Sequence, residues 1–62
     1  MIQLGEWLTR EGYCAIVCDI SDTYAAGIVV DDLGVKSIYW ELNGESMENH
    51  EFDLIEYLGQ GN

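Results

Sequence analysis

Two cysteines, one histidine and twelve carboxylates set against two cations are the groups through which this chain could do chemistry. Cys14 and Cys18 fall on the same face of an extended strand, about 13 Å apart at about 3.3 Å per residue. A disulfide needs Cα atoms within about 7 Å, so the spacing excludes an intramolecular bridge. A zinc site would need two further ligands beside them, and His50 is the single histidine. Both thiols therefore read as small buried hydrophobes. His50 lies between Asn49 and Glu51 in a polar stretch, where a solvated ring is the default over a general base. Asp31-Asp32 adjoin a glycine turn and face water. Gly27 and Gly34 lack the strand-to-helix setting of a phosphate loop. No twelve-residue calcium loop is present, and no nucleophile pairs with a base. The chain reads as a non-enzyme with no metal or cofactor.

The acidic segment toward the C-terminus stands out. Glu45, Glu48, Glu51, Asp53 and Glu56 occur there with no basic residue among them. Tyr39 and Tyr57 adjoin it, with Trp7 as a further aromatic candidate. On one face of a strand, alternate side chains recur at about 6.6 Å. A row of carboxylates so spaced would fit a basic groove built for phosphates. The aromatics would supply binding energy and the charges association rate and selection. The competing reading is a solvated polar face.

What must position these residues is a very small fold. At 62 residues there is room for one domain, residues 1–62, with a small core and marginal stability. A hydrophobic content of 48% argues against disorder. The net charge of −10 opposes direct binding to nucleic acid or an anionic membrane and makes a basic protein the natural partner. No apolar run approaches the roughly 20 residues that span a bilayer. The start of the chain lacks a basic n-region and an apolar h-region, so a cytoplasmic location is expected.

Hydrophobic alternation with turn signals every 8 to 12 residues predicts an all-β fold of about five or six strands. The clearest element is residues 36–47. Ile38, Trp40 and Leu42 point inward, Ser37, Tyr39 and Glu41 outward, and Asn43-Gly44 suits a type I′ hairpin returning into a short strand over residues 45–47. A first strand is expected over residues 2–8, with Ile2 and Leu4 on one face and Gly5 at a bulge; a short helix over residues 5–10 is the alternative. Thr9-Arg10-Glu11-Gly12 is a turn. The second strand covers residues 13–20. Asp19 facing water would turn Cys14, Ile16, Cys18 and Ile20 inward. The third covers residues 25–30, with Ala26, Ile28 and Val30 toward the core and Gly27 leaving room for Trp40. Residues 48–51 form a polar loop. Residues 52–58 are either a final strand or one helical turn followed by a strand, and residues 59–62 a frayed tail. Short links force an antiparallel meander, and the economical closure is a small SH3-like barrel. Without proline to protect its edges, the sheet invites pairing with a second copy as a homodimer.

The order of Thr9-Arg10-Glu11-Gly12, Trp40-Glu41-Leu42-Asn43-Gly44 and Asp53-Leu54-Ile55-Glu56 resembles short acidic accessory proteins of phages and prophages. The resemblance spans most of the chain through short motifs. It implies expression inside a bacterial host, with no activity or catalytic residue to carry over. By analogy, it implies an inhibitor or modulator of a basic host protein, such as a nucleic-acid-binding or defence protein, through nucleic-acid imitation. Two other readings fit: a small-ligand sequestering protein acting as a homo-oligomer, with Gly27, Gly34 and the aromatics lining its site, and a structural or assembly subunit.

Overall fold

The structure, a computed structural model, describes residues 2–60. Five strands form one antiparallel sheet: β1 (Gly5–Thr9), β2 (Cys14–Ile20), β3 (Ala25–Asp31), β4 (Gly34–Trp40) and β5 (Leu54–Gly59). Their order across the sheet is β4-β3-β2-β1-β5, so the first strand lies between the second and the last. A 3-10 turn, His50–Phe52, connects β4 to β5. No ladder joins β4 to β5 among the described residues, but Leu54 N–H donates to Gly44 O at 2.9 Å, and Trp40 bridges Ser46. No helix among these residues is long and apolar enough to cross a membrane.

The β4 alternation is as expected. Ile38 and Trp40 are fully buried and Leu42 packs partly against the core, while Ser37, Tyr39 and Glu41 are exposed. The Trp40 indole N–H donates to Phe52 O at 3.0 Å, satisfying both groups inside the core. The following turn differs from expectation. Gly44 N–H donates to Glu41 O (2.9 Å), Glu41 N–H donates to Glu45 O (2.7 Å), and only Gly44 has a positive φ, at 94°. This is a type I turn closed by a glycine bulge rather than type I′. Asn43 accepts the Glu45 N–H on its side chain instead of taking a left-handed backbone. Residues 45–47 contribute one bridge rather than a strand, and the final segment is a helical turn followed by a strand.

The first three strands depart further. β1 begins at Gly5, and no helix replaces it. Ile2 is buried while Leu4 is exposed, so the two do not share a face. In β2 the inward side chains are Ala15 and Val17. Cys18 and Ile16 are exposed, Ile20 sits at the exposed strand end, and Cys14 is half-buried. The cause is a register shift between Val17 and Asp19 that inserts Cys18 as an unpaired residue. Counting back from Asp19 fails there because a bulge reverses which parity faces the core. β3 follows through its pairing. Ala15 opposes Val29, which is buried with Ala25, whereas Val30 is exposed and Ala26 and Ile28 are only half-buried. Gly59 closes β5, while Gly61 and Asn62 of the expected tail lie outside the described residues.

Gly27 is not a vacancy for Trp40. A Cβ there would collide with the Ile16 carbonyl oxygen and come within 2.9 Å of its carbon. Trp40 lies instead opposite Ala25. Gly27→Ala should therefore force backbone apart rather than fill space. Overpacking typically costs about 1–3 kcal/mol and more where backbone must move. Urea denaturation should show the loss as a lower midpoint, or as no folded baseline in so small a domain.

Candidate protein-interaction surface

Strand pairing lays out the sheet face that points away from the core. Val35, Val30, Cys14, Leu8 and Glu56 oppose one another in turn from β4 to β5. A second row runs Ser37, Ile28, Ile16 and Glu6, and a third Tyr39, Ala26 and Asp19. Val35 is 66% exposed, Tyr39 55% and Val30 41%. Tyr24 packs edge-on against Tyr39, with ring centroids 5.6 Å apart. The part of this face on β2 to β4 is thus apolar and open. Its margins carry Glu6, Asp19 and Glu56, with Asp31 and Asp32 at the β3–β4 turn, where Leu33 is almost wholly exposed. Neither cation belongs to this face. Lys36 is on the opposite side, its ammonium 4.6 Å from the Phe52 ring centroid and 3.0 Å from Glu48 Oε1. Arg10 belongs to the β1–β2 turn. Apolar side chains on both faces exceed what a one-sided core requires, and an open apolar patch with a polar rim is how interaction surfaces present themselves.

The residues singled out from sequence are not one row. Tyr39 and Glu56 share this face at its opposite ends. Glu45 sits in the hairpin beside Asn43, Glu48 pairs with Lys36, and the half-buried Glu51 accepts from Asn49 at 3.0 Å. All three lie on the connector, so the 6.6 Å repeat of a continuous strand does not apply. Tyr57 is on the other face. Its ring lies 5.0 Å from that of Trp7, and its hydroxyl donates to Leu4 O at 2.8 Å.

Asp53 leaves the surface altogether: it is buried and serves the fold. Oδ1 accepts the Ser46 N–H at 2.8 Å, and Oδ2 accepts from Arg10 at 3.1 Å and meets His50 Nδ1 at 3.0 Å. Its carbonyl takes the Arg10 N–H at 2.9 Å. One side chain thus ties the β4–β5 connector to the β1–β2 turn, and His50, whose ring is exposed as expected, is also its partner. Burial pushes the Asp53 carboxyl up, but the Ser46 amide, Arg10 and His50 together outweigh it and hold the pKa below the ordinary carboxylate value.

Both cysteines are free. Cys14 donates to Glu6 Oε2 at 3.3 Å, and burial followed by that bond and the Glu6 charge raises its pKa. On the far side of the molecule a groove of about 480 Å³ opens between Ile2, Ile20, Ser21, Asp22, Leu42 and Asn43. Gly27 and Gly34 do not line it. Among the described residues no group of three or more His, Cys, Asp or Glu could hold a metal ion.

No family model matches the chain. Neither the curated proteins nor the solved structures contain a match. The surface therefore rests on its own geometry. Sequence reading missed Ile16, Val30 and Val35, although apolar residues at consecutive positions in residues 28–30 signalled a strand with two apolar faces.

Two outcomes follow from these contacts. A depressed folded pKa means that Asp53 contributes stability above the ordinary carboxylate pKa of about 3.9, lost as pH falls through its folded value. Asp53→Asn should cost about 1–3 kcal/mol at pH 7 and flatten the acid limb of the stability curve, read by urea denaturation across pH 2–7. For the thiols, alkylation of the native protein followed by peptide mass spectrometry should find Cys18 modified well before Cys14, because only the thiolate reacts.

Proposed function

We propose that this chain is a non-enzymatic interaction protein that binds a basic protein surface and inhibits or modulates its owner. The observation that carries this is the outward sheet face: an open apolar patch of Val30, Val35, Ile16 and Tyr39 over β2 to β4, with carboxylates beside it and without a cation. Binding energy would come from desolvating that patch and selection from the carboxylates, with Glu45, Glu48, Glu51 and Glu56 adding long-range attraction. The net charge of −10 favours a partner rich in Lys and Arg, including one built to hold nucleic acid.

The resemblance to phage and prophage accessory proteins supports a setting inside a bacterial host. The finer architecture belongs to the same proposal. The Gly44–Leu54 hydrogen bond and the Trp40–Ser46 bridge draw the two ends of the sheet together, which supports an SH3-like barrel. The groove at Ile2, Ile20 and Leu42 favours a second reading, a binder of a small apolar ligand, since its volume lies in the range of small-molecule sites.

Fluorescence anisotropy against a panel of purified basic DNA-binding proteins separates the two. A partner should bind the full chain, and Val35→Asp should weaken it by at least about tenfold, in line with the loss of an interface anchor. A fall in affinity between about 0.05 and 0.5 M salt should accompany it, because exposed charges are screened at the higher value. Equal binding by Val35→Asp would remove the sheet face from the reading. A ligand that raises the melting temperature through contacts at Leu42, with no basic protein bound, would favour the groove.

A further inference from the structure

We propose that β4 is a docking edge: an extended segment of the basic partner adds to it as a further antiparallel or parallel strand. This deepens the reading above and rests on it. Both outer strands could in principle accept a neighbour, but they are built differently. β5 meets β1 through two register shifts, and such irregularity discourages strand addition. β4 pairs with β3 over seven consecutive residues without a shift, which leaves its other edge regular.

Only the end of that edge is covered. Tyr39 O accepts the Met47 N–H at 3.1 Å, and Trp40 bridges Ser46. The Tyr39 carbonyl therefore faces away from β3. Backbone polar groups alternate sides along a strand, so those of Ser37 and Val35 face the same way. Among the described residues no strand lies beside them. The usual protections are missing. The chain has no proline, and the one lysine on β4, Lys36, is drawn toward Phe52 and Glu48 on the core side of the sheet.

Charge selects the occupant. The open stretch is flanked by Asp31 and Asp32 at one end and by Glu41 and Glu48 at the other. A strand laid there places alternate side chains beside Val35 and Tyr39 on the outward face. The matching segment has β-branched or aromatic residues at its centre and Lys or Arg at both ends. A second copy is the poorer occupant, because it would bring another chain of net charge −10 against the first.

The probe is a synthetic peptide of about nine residues, with alternating Val and Thr between paired Lys or Arg, long enough for an ordinary strand. Amide exchange by NMR on the full chain is the readout. Saturating peptide should slow exchange at Val35 and Ser37 by at least about tenfold, as hydrogen-bonded pairing requires. Ser37→Pro removes an edge N–H without touching the β3 ladder. It should keep the melting transition and lose that protection together with at least about tenfold in affinity. N-methylation of the peptide amides that would face β4 should abolish binding by the native chain, whereas methylation of the alternate amides should not, so the result holds even if Ser37→Pro misfolds.

Peptide binding with unchanged exchange at Val35 and Ser37 overturns the edge and leaves the basic-partner reading standing. Failure of every basic peptide and protein to bind overturns both. Protection of the same amides without peptide, with a dimer in sedimentation, assigns the edge to a second copy and overturns the occupant.

Discussion

The close passage of β2 under β3 is the constraint on which the rest of this domain depends. Ile16's carbonyl occupies the volume where any side chain at position 27 would stand. Cys18 is looped out of the ladder immediately beyond it. A regular, flat sheet of this size could not surround a tryptophan. The bulge raises local twist, and the glycine removes the obstacle to it. Trp40 can then be buried completely, with its indole N–H spent on the Phe52 carbonyl instead of water. The same bulge decides which side chains face out, so the core and the apolar outward face have one origin.

Asp53 answers a different need. The connector between β4 and β5 is polar and contains one short 3-10 turn, too little regular structure to hold itself. A buried carboxylate with partners on Arg10, Ser46 and His50 fixes it against the opposite end of the sheet. Removing a partner from such a site leaves a charge in a poor medium, which makes the arrangement all-or-nothing. Of the five acids that the sequence groups in one segment, Asp53 is thus the one buried in the service of the fold.

How much of this was legible in the sequence depended on whether a segment's two faces differed. In β4 they do: Ser37 and Tyr39 against Ile38 and Trp40 gave the correct orientation. In residues 14–18 and 28–30 both parities are apolar, and alternation carries no information about direction. A single aspartate then decided the orientation of β2, and the bulge between it and Val17 reversed the answer. The Asn43-Gly44 signal located the hairpin but not its type, because a type I turn with a glycine bulge uses the same dipeptide. The spacing of the acids could not reveal that a 3-10 turn and a hairpin interrupt their row. Nor could it reveal that the apolar outward face is built from β2, β3 and β4, since it is made by cross-strand pairing.

The position of β1 between β2 and β5 reaches beyond the finished molecule. During synthesis β1 to β4 emerge in order and can pair as successive hairpins, but one side of β1 stays unpaired until the last strand leaves the ribosome. Thr9, fully enclosed in the finished sheet opposite Leu54, must wait for that strand. A nascent chain cut short before residue 54 would therefore leave the edge of β1 bare beside that of β4, and would be a natural substrate for chaperones and proteases.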